Sequence, residues 1–221
     1  MPQSLFSYEV PSTSGNTKQL IFLLHGFAMR GEHMIRLFVN FVAPNFPDAH
    51  FYAPNGPYEC KGYNDKYDWL LYDGDWTPEN IHKTAKQTEQ ILNNFIDQKL
   101  QQHDLLDKDI MLVGFSQGTR IALHVGLRRT KMCAGILGYS GALTLPEYLK
   151  DEIRSYPPVK LVHGEGDQVV NIVYFYDACE QLNSVGVNVG GEVIPNLGHK
   201  INNTGINVGV RFMKEAFQIK K

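Results

Sequence analysis

Short apolar runs alternate along this chain with longer stretches in which apolar residues recur at helical spacing. Residues 19–24 form a continuously apolar run, the pattern of a strand buried on both faces. Residues 6–10 read as an edge strand closed by Pro11, and residues 50–53 as a short strand ended by Pro54-Asn55-Gly56-Pro57. Further strands are expected in the run that follows Asp109 and ends at Gly114, and at 132–139, 159–163 and 187–194, the last interrupted by Gly190-Gly191. Helical spacing marks residues 34–42. It is clearest over 80–100, where Ile81, Thr84, Ala85, Thr88, Ile91, Leu92, Phe95 and Ile96 make one stripe. A helix through Ile121, Ala122, His124, Val125 and Leu127 ends at Arg128-Arg129, and another covers 172–185. Asn202, Asn203 or Thr204 can cap a final helix bearing Ile206, Val210, Met213 and Phe217. Strands alternating with helices predict βαβ units, a mainly parallel sheet and an α/β fold.

One segment breaks the pattern. Tyr58, Tyr63, Tyr67, Trp69, Tyr72 and Trp76 fall in a stretch rich in Gly and Asp without periodicity. Singly, each reads as a loop aromatic packed onto the sheet. Together they suit the wall of an apolar substrate groove, because loops at one end of such a sheet build its site.

No linker, repeat or low-complexity tract divides the 221 residues, so residues 1–221 are expected to form a single domain. A formal charge of −2 gives no electrostatic reason to expect nucleic acid or an anionic membrane as partner. The first residues lack a secretory pattern, and no apolar run approaches transmembrane length. Cys60, Cys133 and Cys179 are an odd number without C-x-x-C spacing. They read as free packing thiols of a reducing compartment, which points to the cytoplasm. His33, His50, His82 and His103 are too scattered for metal-ligand spacing, and no H-E-x-x-H occurs, so no metal is expected.

The chemistry gathers at Gly114-Phe115-Ser116-Gln117-Gly118, where an apolar strand meets a helix at once. This is the G-x-S-x-G elbow of α/β-hydrolases, in which a strained turn lifts the serine hydroxyl clear of the sheet. The glycines remove side chains where strand and helix approach closely, and the Gln117 N–H points from the helix start toward charge forming beside Ser116. Serine needs a base and the base an orienting acid, which in this fold follow in the order Ser, Asp or Glu, His. Of the histidines beyond the elbow helix, His163 ends a strand and precedes the acidic turn, which leaves His199. Asp167 lies on the Gly-rich turn before it, with Glu165 a rival on the same turn and Asp177 a poorer fit inside a helix. A second oxyanion donor belongs in an early loop after a strand, where His25-Gly26-Phe27 offers the Phe27 N–H. His25 itself reads as structural, hydrogen-bonded beneath that loop, and His124 as a core residue.

Five stretches now stand in order: Leu24-His25-Gly26; the elbow; Tyr139-Ser140-Gly141-Ala142-Leu143; His163-Gly164-Glu165-Gly166-Asp167; and Gly198-His199-Lys200-Ile201. Across residues 18–217 this set resembles the phospholipase/carboxylesterase family, which includes small bacterial carboxylesterases and acyl-protein thioesterases. The resemblance implies an α/β-hydrolase fold without a large lid, no cofactor, and hydrolysis of acyl esters or thioesters. It aligns Ser116, Asp167 and His199 with the family's triad and Phe27 and Gln117 with its oxyanion positions. It also aligns Trp69 with a substrate-binding tryptophan, although Asp68-Trp69-Leu70 otherwise departs from the family's segment. The implied substrate is a small acyl ester or thioester, a lipid or an acylated protein. Oligomeric state is not legible. Two other readings remain: a dienelactone-hydrolase-like enzyme, disfavoured because the elbow holds serine where those enzymes typically carry cysteine, and a catalytically silent binding module, which a fluorophosphonate probe would separate from a serine hydrolase.

Overall fold

A computed structural model describes residues 5–71, 74–75 and 77–218. In chain order the elements are β1 (Ser7–Val10), β2 (Gln19–Leu24), α1 (Gly31–Val42), β3 (Ala49–Pro54), β4 (Tyr58–Glu59), β5 (Tyr67–Asp68) and α2 (Pro78–His103). There follow β6 (Ile110–Phe115), α3 (Gln117–Arg128), β7 (Gly135–Tyr139), α4 (Leu149–Glu152), β8 (Val159–Gly164), α5 (Val173–Ser184), β9 (Val189–Ile194) and α6 (Asn203–Ala216). Seven strands make one sheet in the order β1-β3-β2-β6-β7-β8-β9. Only β1 runs antiparallel to its neighbour. The fold is that of an α/β-hydrolase.

The period-2 geometry of strands sorts the core into two layers. Along β2, Leu20, Phe22 and Leu24 join the core made with α2, α3 and α5, through Leu92, Ile121 and Phe175 among others. Ile21 and Leu23 point the other way, onto Met34 and Phe38 of α1 and Ile206 and Met213 of α6. A continuous apolar run is what a strand covered on both faces needs.

This arrangement sets where a ligand belongs. Neighbours β2 and β6 send their following helices to opposite faces, α1 to one and α3 to the other. Their C-terminal ends therefore flank a topological switch point, the crevice in which open α/β sheets hold ligands.

The structure departs from the sequence expectations in several places. Residues 58–68 contain a small antiparallel pair, Tyr58 opposite Asp68 and Glu59 opposite Tyr67, where a plain loop was expected. β7 begins at Gly135, not at 132, because Met132 is exposed before the chain enters the sheet. β9 runs unbroken through Gly190-Gly191, since six successive pairings with β8 hold it in register and Gly191 makes room for Phe175 of α5. α1 starts at Gly31, three residues before the apolar spacing announces it. The short α4 carries too little pattern to be seen. Tyr72 and Trp76, expected among the groove aromatics, lie outside the described residues. Among the described residues no helix is long and apolar enough to cross a membrane.

Candidate active site

Ser116 sits at the junction of β6 and α3 with φ 54° and ψ −116°, a conformation that costs a non-glycine residue energy. The strain is held by neighbours: the Ser116 N–H donates to Tyr139 O at 2.8 Å, and Ser116 O accepts from Thr119 N at 3.0 Å. The motif glycines are sites of backbone contact. A Cβ on Gly114 would lie 2.4 Å from Gly118 C and O, and one on Gly118 would lie 2.0 Å from Leu24 O. The end of β6, the start of α3 and the end of β2 thus touch main chain to main chain.

The chain then returns twice to this point. The loop after β9 brings His199 Nε2 to 3.0 Å from Ser116 Oγ, across 83 residues of sequence. On its other side, His199 Nδ1 lies 2.8 Å from Asp167 Oδ2, in the loop after β8. With Nδ1–H donating to the carboxylate, Nε2 is left to accept the serine proton. The imidazole packs on Phe115, ring centres 4.9 Å apart. Asp167 Oδ1 accepts from Val169 and Val170 N–H, both at 2.9 Å. Burial alone would push this carboxyl up; the Val170 N–H, His199 and the Val169 N–H outweigh it and hold it below the usual carboxylate range. Nearby, His163 Nε2–H donates to Val170 O at 2.9 Å and ties down the same turn. The rival Glu165 is exposed and accepts from Asn196 N–H at 3.4 Å, and Asp177 is exposed on α5.

The His25-Gly26-Phe27 loop leaves β2 beside the elbow. His25 is buried, its Nδ1–H donates to Gly26 O at 2.7 Å, and its Nε2 accepts from Gly56 N–H at 2.9 Å. Burial drives its pKa down to about 4, against the opposing pull of the Gly26 carbonyl, so the ring is neutral at pH 7. Gln117 opens α3, where first-turn N–H groups have no partner within the helix. Its side chain is braced, Nε2–H donating to Asp68 Oδ1 at 2.6 Å and Oε1 accepting from Trp69 N–H at 3.2 Å.

Trp69 requires a correction. It was expected to bind substrate, yet it is 0% exposed, and its indole N–H donates to His25 O at 2.9 Å. It braces the early loop from beneath. Its neighbours Asp68, Leu70 and Leu71 instead line, with Phe27, Tyr58 and Cys60, a cavity of about 280 Å³. Sequence reasoning also missed Asp68 and Thr119. The Thr119 hydroxyl donates to Tyr139 O at 2.9 Å and accepts from Tyr139 N–H at 3.0 Å, fastening the elbow to β7. No spacing relates residues 68 and 117, so only coordinates reveal that pair.

The phospholipase/carboxylesterase family model matches residues 7–216. The chain belongs to the phospholipase/carboxylesterase family. Within that family of esterases and thioesterases, acyl-protein thioesterase 1 of Gibberella zeae is 28% identical over 209 residues, covering 86% of each chain. Esterase YpfH of Escherichia coli is 26% identical over 215 residues, covering 94% of this chain and 87% of its own. The crystal structure of esterase PE8 superposes with a TM-score of 0.90 at 33% identity, covering 97% of this chain and 100% of that one. The protein is thus a hydrolase of a carboxylesterase and thioesterase family.

Proposed function

We propose that this protein hydrolyses carboxylic esters or thioesters of acyl groups through an acyl-enzyme on Ser116. The observation that carries this reading is a single imidazole, His199, bonded through Nε2 to Ser116 Oγ at 3.0 Å and through Nδ1 to Asp167 at 2.8 Å. His199 takes the serine proton as Oγ attacks the acyl carbonyl, and Asp167 holds the tautomer and stabilises the imidazolium. The N–H groups of Gln117 and Phe27 receive the oxyanion. The proton passes to the departing alcohol or thiol; His199 then draws a proton from water as the water attacks the acyl-serine and hands it to Ser116 Oγ as the acyl–oxygen bond breaks, releasing acid and free enzyme. The cavity beside Phe27 is the acyl pocket, with Leu70 and Leu71 on its wall.

The relatives' names, esterase and acyl-protein thioesterase, support both oxygen and sulfur esters as substrates, with lipids and acylated proteins the natural sources. Three unpaired cysteines agree with a cytoplasmic setting. The test is turnover of p-nitrophenyl esters and an acyl-thioester by wild type and Ser116→Ala. Loss of the serine should lower kcat on the order of 10⁴–10⁶-fold; equal rates in the two proteins would remove Ser116 from the mechanism.

A further inference from the structure

Tyr67, Asp68 and Trp69, consecutive in the chain, reach both segments that carry the proposed oxyanion donors. The early loop is fastened on either side of Phe27. Before it, the Trp69 indole N–H donates to His25 O at 2.9 Å; after it, Tyr67 N–H donates to Met29 O at 3.0 Å. Between these two held carbonyls the chain turns through Ala28 at φ 52°, a left-handed conformation that a non-glycine residue keeps only under constraint. At the start of α3 the Gln117 side-chain amide is gripped at both ends. Its Oε1 accepts from Trp69 N–H at 3.2 Å, and its Nε2–H donates to Asp68 Oδ1 at 2.6 Å. A peptide N–H only donates and an ionised carboxylate only accepts, so the amide has a single orientation.

Asp68 is the costly member of the trio. It is buried, and no cation faces its carboxyl. Burial pushes that carboxyl up, against the N–H groups of Leu70, Gln117 and Trp69. Leu70 N–H reaches the same Oδ1 at 3.0 Å. A carboxylate withdrawn from water without a counter-ion is a poor choice for packing alone. We propose that Asp68 is a positioning residue of the oxyanion hole, holding the Gln117 N–H at a fixed spacing from the Phe27 N–H through the Gln117 side chain.

The tolerance of such a site explains why a grip of this kind matters. Two N–H groups serve one oxyanion only when both lie about 3 Å from it, and a displacement of about 1 Å can cost about a hundredfold in rate. Ser116, one residue before Gln117, sits in a strained conformation, so the first turn of α3 gains by relaxing unless its side chain is held. Because residues 67–69 also hold the carbonyls of His25 and Met29, both donors are referred to one short piece of chain.

This role presupposes the acyl-enzyme on Ser116, and the test keeps the two separable. Hydrolysis of p-nitrophenyl butyrate is measured in wild type, Ser116→Ala, Asp68→Ala, Asp68→Asn, Gln117→Met and the Asp68→Ala/Gln117→Met double variant. Asp68→Ala should lower kcat about ten- to a hundredfold with KM changed less than about twofold. Asp68 also lines the acyl cavity, so a mere packing defect would appear in KM instead. Asp68→Asn, whose amide oxygen can still accept from Gln117 and Leu70, should restore most of the rate. Gln117→Met keeps the backbone N–H and loses the amide; it should match Asp68→Ala, and the double variant should fall no further than either. Inhibition by an alkyl trifluoromethyl ketone, which adds to the serine as a tetrahedral oxyanion, should weaken in proportion to kcat/KM. Unchanged kcat in Asp68→Ala, additive losses in the double variant, or a loss confined to KM overturns the proposal. Should Asp68→Ala fail to fold, Gln117→Met decides alone, and an unchanged kcat there overturns it. Equal rates in wild type and Ser116→Ala would remove the acyl-enzyme and this role together, whereas a Ser116-dependent rate indifferent to Asp68 and Gln117 would remove this role alone.

Discussion

His25 makes the stability of this protein sensitive to acid in a way that a single substitution isolates. The folded ring is buried, with Nε2 occupied as acceptor from Gly56 N–H, and its pKa is lowered to about 4. An unfolded histidine titrates near 6.5. The unfolded chain therefore takes up a proton that the folded chain refuses, and stability is lost as pH falls from about 6.5 toward about 4. At about pH 4.5 the unfolded state has gained roughly two decades of protonation. At about 1.4 kcal/mol per decade, and allowing for the fraction of folded protein that also protonates, His25 costs about 2–3 kcal/mol there. His25→Gln offers an amide oxygen to Gly56 N–H and does not titrate. Urea unfolding of wild type and variant at pH 7 and pH 4.5 gives the double difference, in which the other depressed histidines, His50, His103 and His124, cancel. The variant should lose about 2 kcal/mol less than wild type over that interval. Equal losses would mean that His25 is not held neutral under the early loop.

Two further perturbations probe the site's construction. Asp167→Asn keeps the side chain's shape but favours the wrong imidazole tautomer, so kcat should fall on the order of 10⁴-fold while urea unfolding stays cooperative; a drop under tenfold would separate Asp167 from catalysis. Gly118→Ala sets a Cβ where Leu24 O lies 2.0 Å away, so β2 and the elbow must part, at a cost of about 1–3 kcal/mol in thermal or urea unfolding and with lower activity; a variant as stable and active as wild type would show that the contact relaxes freely.

The main lines of the fold are legible in the sequence because strands covered on both faces must be apolar throughout, as residues 20–24 are. The α2 stripe is equally plain, with Thr84, Ala85, Thr88, Leu92, Phe95 and Ile96 buried. Chain order and glycine-flanked turns single out Ser116, Asp167 and His199, and the structure brings those three side chains together. Trp69 was misread because aromatic content does not say which face of a loop is covered. Its 0% exposure follows from a long-range fit against His25, and the β4–β5 pair around it has strands too short for periodicity.

The 83 residues separating Ser116 from His199 have a consequence for biosynthesis. A ribosome releases the amino-terminal part first, so the hydroxyl emerges well ahead of the imidazole that would activate it. Every unfinished chain that stops before β9 carries a serine of ordinary, weak reactivity. On the proposed mechanism, hydrolytic competence is then the last property this polypeptide acquires, and a truncated product left in the cell is inert toward acyl groups.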